Sequence, residues 1–154
     1  MTDTTQSEAQ NHKLKGLHDA LTDEHASLHR LFEELLAAFQ ADARVEAGRI
    51  WNVFDSRLRA HLAMEEQYLL PAFAAVDAPE AEALRREHDK IRNQLLQLGI
   101  GVDLHMTRDQ QVEEFIAQLD AHAKREDALM YRFAEQGLKD EEARKMLQRR
   151  LFPR

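Results

Sequence analysis

Apolar residues recur at spacings of three and four in four long segments of this chain, and a period held near 3.6 over so many turns commits a chain to amphipathic helices. The first segment carries Leu17, Leu21, Leu28, Phe32, Leu35 and Phe39. The second carries Trp51, Phe54, Leu58, Leu62, Leu69 and Phe73, the third Leu84, Ile91, Leu95 and Leu98, and the fourth Val112, Phe115, Leu119, Leu129 and Phe133. Only 5 Gly and 3 Pro interrupt 154 residues, which favours a few long helices over many short strands. The expected fold is all-α: an up-down-up-down four-helix bundle with a short C-terminal fifth helix.

Punctuation along the chain agrees. Asp77, followed by Pro79 and Glu80, reads as an N-cap with a proline and an acidic residue in the first turn. Thr107 with Gln110 forms a capping-box pattern just after "GIGVDLHM". Gly137 ends the fourth helix and Asp140 can cap the fifth, "EEARKMLQRRLF", a docking helix with a basic, solvated face. The loop near Ala41 to Ala43 is signalled more weakly. Residues 1–12, "MTDTTQSEAQNH", are expected to be a disordered N-terminus, 13–137 the bundle, and 138–154 the C-terminal helix and tail.

The chain also repeats. "LTDEHASLHRLF" from Leu21 aligns with "LRREHDKIRNQL" from Leu84, matching Leu21 with Leu84, Glu24 with Glu87, His25 with His88 and Leu28 with Ile91. "HLAMEE" from His61 aligns with "HAKRED" from His122, matching Glu65 with Glu126. Each half is therefore a helical hairpin with a histidine on one helix and HxxxE on the other. Positions i and i+4 project from one helix face, about one turn apart, so both can grip one ion. His122 and Glu126 continue the 3, 4 stepping of the fourth stripe, and His61 and Glu65 do the same in the second. His25 and His88 sit in the first and third stripes, so all six residues should face inward.

Six such residues in core positions carry a cost. Two buried carboxylates with no compensating charge would each lose several kcal/mol, or would stay protonated. A pair of metal ions removes that cost; the structural alternative is a set of buried His–Glu hydrogen bonds. With 0 Cys, any metal must sit on nitrogen and oxygen, a donor set suited to iron, manganese or zinc. Two bridging glutamates and two histidines per metal would leave coordination positions open, as a reactive site requires and a closed structural site does not.

The succession H, HxxxE, H, HxxxE on four helices, with "EEQYLLPAF" after His61, resembles the hemerythrin-like, or HHE cation-binding, domain over about residues 14–136. The resemblance implies a non-heme centre of two iron ions, oxo- or hydroxo-bridged, with His25, His61, Glu65, His88, His122 and Glu126 as ligands. It implies a small diatomic or peroxide ligand: the protein would bind, sense or reduce dioxygen, peroxide or nitric oxide. A storage or partner-regulating metal module without redox turnover is the alternative. The oxygen-carrying hemerythrins have a second histidine where this chain has Arg92, and an aspartate five residues after the last histidine. Here Glu126 lies at four and Asp127 at five, and Glu126 is preferred because it repeats Glu65 and keeps to the stripe. These departures move the expectation from reversible oxygen carriage towards sensing, nitric oxide binding or peroxide breakdown.

His29, one turn beyond His25, lies off the stripe, which favours the solvent edge over ligation. Tyr68 and Tyr131 lie near the HxxxE segments, where a hydrogen bond to a bound oxygen species is the alternative to the plain packing expected of them. His12, His18 and His105 receive no role. The net charge of −7 argues against nucleic acid and anionic lipid as partners, and neither an apolar signal region nor an 18-residue apolar run is present, so a cytoplasmic location is expected.

Overall fold

The computed structural model describes residues 16–103 and 109–152, and among these the elements are all helical. They are α1 (Leu17–Gln40), α2 (Arg44–Tyr68), α3 (Leu70–Ala74), α4 (Ala78–Asp103), α5 (Asp109–Ala128), α6 (Met130–Gln136) and α7 (Glu141–Leu151). Helix α1 packs on α2, α2 on α4, α4 on α5, and α5 with α6 back on α1, which closes a four-sided bundle. Polar side-chain contacts across neighbours fix the directions. Glu80 and Glu87 of α4 meet Arg125 and His122 of α5, while Thr22 and His29 of α1 meet Asp127 and Asp120, so both pairs run antiparallel.

Local chemistry sets the ends. The three-residue turn between α1 and α2 holds Asp42 at φ 53°, a left-handed conformation that aspartate tolerates better than most residues. Asp77 accepts a hydrogen bond from the Glu80 amide at 3.2 Å, and Asp140 accepts from the Glu142 and Ala143 amides, as caps should. Helix α6 stops at Gly137. The Thr107 capping box, His12, His105 and the N-terminal 1–12 lie outside the described residues.

Two expected helices are each interrupted. The second breaks at Leu69, where Pro71 lacks an N–H and its ring cannot sit over the preceding turn. The fourth breaks at Leu129, whose φ of −126° departs from the helical value, and nothing in the local sequence explains it. That break corrects the expected stripe. Leu129 is half exposed and Phe133 only partly buried, whereas Met130, Tyr131 and Ala134 turn inward.

The interior divides into two apolar clusters. One, around Phe32, Trp51, Phe54, Leu95 and Phe115, fills the bundle on the side of the α1–α2 turn. The other, around Leu21, Met64, Leu70, Leu84 and Met130, fills the opposite side, where α7 docks Leu147 against it. Between them lie the buried polar residues: His61, Glu65, His88, His122 and Glu126. No helix among the described residues is long and apolar enough to cross a membrane. Phe54 is fully buried and touches the rings of Phe32, Trp51 and Phe115. Phe54→Ala should therefore lower the free energy of unfolding by about 3–5 kcal/mol, the usual cost of emptying an aromatic core site, as read by urea denaturation.

Candidate metal centre

The polar layer is built from one turn of each long helix. His25 comes from α1, His61 and Glu65 from α2, His88 from α4, and His122 and Glu126 from α5. The structure brings all six sequence-predicted residues together. Their donor atoms form two overlapping groups: His25, His61, Glu65 and Glu126 in one, and Glu65, His88, His122 and Glu126 in the other, with ligand atoms within 4.8 Å of one another inside each group. Both glutamates belong to both groups and are completely buried.

All four Nε2 atoms face this centre. His25 Nε2 lies 3.1 Å from His61 Nε2 and 3.2 Å from Glu126 Oε1. His88 Nε2 lies 3.4 Å from Glu65 Oε1 and 3.3 Å from Glu126 Oε2, and His122 Nε2 lies 3.0 Å from Glu126 Oε1. Glu65 Oε1 and His122 Nε2 are buried yet make no well-aligned hydrogen bond. Lone pairs turned to a common centre without hydrogen-bond partners are what a cation would take up.

Carboxylates hold three of the imidazoles from behind. His61 Nδ1 lies 3.2 Å from Glu24, His88 Nδ1 3.2 Å from Glu66, and His122 Nδ1 3.0 Å from Glu87. An Nδ1–H donating to Glu66 and to Glu87 fixes the tautomers of His88 and His122 and leaves each Nε2 with a lone pair for an ion, whereas His61 Nδ1 approaches Glu24 without a well-aligned hydrogen bond. Each carboxylate in turn faces an arginine. Arg150 of α7 lies 3.7 Å from Glu24, Arg92 lies against Glu66, and Arg125 is 3.1 Å from Glu87 while also gripping Glu80. Three relays of Arg, Glu and His thus run inward from the surface. The sequence reading assigned no role to Glu24, Glu66 or Glu87, although the repeat aligned Glu24 with Glu87, one residue before each helix's histidine. That repeated "EH" was the signal: each glutamate supports the histidine of the neighbouring helix, not the one beside it.

Tyr131 corrects a second expectation. Instead of only packing, it is fully buried with its hydroxyl 2.6 Å from His25 Nε2, 3.2 Å from His61 Nε2 and 2.8 Å from Glu65 Oε2. Its signal was hidden by the break at Leu129, which rotates it inward. Tyr68 is partly buried among apolar neighbours. His29, with 40% of its side chain exposed, pairs with Asp120 and Glu33 at the solvent edge. Asp127 pairs with His18 at 2.8 Å and with Thr22, away from the centre. A cavity of about 40 Å³ abuts the centre, lined by His25, His61 and His122 with Leu28, Leu58, Leu62, Ile116, Leu119 and Ala123, and His29 stands at its exposed edge.

Charge balance can also be met with protons. Burial alone would lower the His61 imidazole, but the Glu65 charge and the contacts with Glu24 and Glu65 outweigh it and raise His61 to about 10. His88 behaves alike: burial opposes, but contacts with Glu126 and Glu65 raise it to about 10. Burial would raise the Glu126 carboxyl, but His122, His25 and His88 hold it well below the usual range. A raised histidine stabilises the fold fully below its unfolded value of about 6.5, and that stabilisation is lost as pH climbs through the folded value. Chelator-treated protein should therefore show a melting temperature that falls as pH rises from about 6.5 to about 10. Glu126 acts in the opposite sense: its contribution is present above the ordinary carboxyl value of 4.5 and lost as pH falls. A calorimetric series flat across the alkaline interval would contradict this assignment.

A family model described as the hemerythrin HHE cation-binding domain matches residues 16–134, and again residues 80–150. No curated protein and no solved structure matches the chain.

Proposed function

The chain belongs to the hemerythrin HHE cation-binding domain family, and we propose that its buried His/Glu layer holds two iron ions with which the protein binds, senses or reduces dioxygen, peroxide or nitric oxide. The observation that carries this reading is the pair of four-donor groups with two glutamates in common. One position would be held by His25 and His61, the other by His88 and His122, and Glu65 and Glu126 would serve both. Four imidazoles and two carboxylates without sulfur fit iron. When bound, two adjacent irons supply two one-electron steps, matching the two-electron demand of a small oxidant.

The chain's own residues prepare the rest. Glu66 and Glu87 hold the Nδ1 protons of His88 and His122, and Glu24 stands 3.2 Å from His61 Nδ1, so the Nε2 atoms are oriented before an ion arrives. Burial would raise Glu24 and Glu66, yet His61 and then Arg150 lower the first, and Arg92 and then His88 lower the second, so both lie below the usual range. The apolar walls of the cavity beside His25, His61 and His122 exclude charged or bulky substrates and leave room for a molecule of two or three atoms.

Elemental analysis with an ultraviolet-visible spectrum, before and after dithionite and air, tests the reading. The expected result is about two irons per chain, with near-ultraviolet absorption that bleaches on reduction and returns in air, peroxide and nitric oxide being the next ligands to assay. Zinc with no redox-dependent band would favour a storage or regulatory module instead. Glu87→Gln should weaken metal affinity about 10–100-fold while the fold is kept, as loss of a carboxylate behind a ligating histidine does. A chelator competition unchanged by the substitution would refute that support role.

A further inference from the structure

The hydroxyl of Tyr131 is set against one of the two donor groups and not the other. It lies 2.6 Å from His25 Nε2, 3.2 Å from His61 Nε2, 2.8 Å from Glu65 Oε2 and 3.4 Å from Glu126 Oε1. Its hydrogen-bond partners among the described residues include neither His88 nor His122. Within the same set, His25 Nε2 is 3.1 Å from His61 Nε2 and 3.2 Å from Glu126 Oε1. Six separations among five atoms thus fall between 2.6 and 3.4 Å.

Hydrogen bonding accounts for these contacts only in part. A phenol donates one hydrogen bond and accepts two, so at most three of its four neighbours can be satisfied. A common ion accounts for all of them. Donor atoms held at about 2.1 Å from one ion and at right angles lie about 3.0 Å apart, the middle of the observed range.

We propose that Tyr131 is a fifth protein ligand at the position held by His25, His61, Glu65 and Glu126. The inference rests on the metal reading above. As the oxygen-to-metal bond forms, the phenol O–H bond breaks and its proton passes to solvent; no electron moves. The two positions then differ: one takes five protein donors and the other four, so the second is the more open to an incoming ligand. A hard anionic oxygen also favours ferric over ferrous iron at the first position. The cavity lies on the side of Leu28, Leu58 and Leu62, whereas Tyr131 packs in the opposite apolar cluster, so it would coordinate without blocking the approach.

The chain has 2 tyrosines, which makes the test direct. The full chain, loaded with ferrous iron and oxidised in air, should give a phenolate-to-ferric absorption band in the visible, with resonance Raman modes of a coordinated phenolate. Tyr68→Phe should keep both, and Tyr131→Phe should lose both at an unchanged count of two irons. Should Tyr131→Phe fail to fold, Tyr68→Phe still decides, because its remaining tyrosine is Tyr131. Two irons with no phenolate signature in wild type or in Tyr68→Phe would overturn the ligand and leave the metal reading standing. A signature that survives Tyr131→Phe would also overturn it, and wild type that takes up no iron would overturn both.

Discussion

Two carboxylates with no access to water, Glu65 and Glu126, sit at the middle of the bundle, and the rest of the structure answers to their charge. An ionised carboxylate moved into a dry interior loses several kcal/mol of hydration unless positive charge stands beside it. The four imidazoles surround both glutamates, so the balance can be struck by protons or by cations. The raised His61 and His88 and the depressed Glu126 are the protonic form of that balance. Cations and protons compete for the same Nε2 atoms, so loading the site must release protons near neutral pH.

Charge alternates outward from this centre. Behind His61, His88 and His122 stand Glu24, Glu66 and Glu87, and behind those stand Arg150, Arg92 and Arg125. Each carboxylate is partly shielded, and a lone one there would be free to choose between its histidine and solvent. The arginine narrows that choice by placing a positive charge on the carboxylate's outer side. Arg92 shows the principle at its clearest. It stands where an oxygen-carrying hemerythrin has a further histidine, and it reaches Glu66, which in turn reaches His88. A residue that looks like a lost ligand serves the ligand one turn away.

How much of this was legible depends on whether the information is periodic. The bundle, the caps at Asp77 and Asp140 and the inward phase of all six polar residues follow from helical spacing and from the repeat. Leu129 and Phe133 did not, because the break before α6 has no proline or glycine to announce it and shifts the inward face by one residue. That shift is what puts Tyr131 in the centre. Glu24 and Glu87 were visible as a repeated pair, but their use requires knowing which helix stands opposite, and spacing along one helix carries no such information. Glu66 has Asp127 as its counterpart, and Asp127 turns to His18 and Thr22, so the repeat would have misled there.

The imperfect repeat has a consequence for the site. Both halves supply EH on one helix and HxxxE on the next, and to that extent the two positions are equal. They diverge one turn away. The first half has His29 at the solvent edge and Tyr131 on its donors; the second has Arg92 and Glu66 locked onto His88. His88 is fully enclosed, while His25 keeps 16% of its side chain exposed. Three flanks of the layer are therefore closed by charged relays, across which an uncharged molecule gains nothing. The apolar cavity between α1, α2 and α5 meets the layer at His25, His61 and His122, with the partly exposed His29 in its lining. Under the proposed function a small neutral molecule would be favoured there, because its hydration is cheap to remove, whereas an anion would have to shed its water against leucine and isoleucine. Selection for size and charge would thus come from the packing around the site before any chemistry within it.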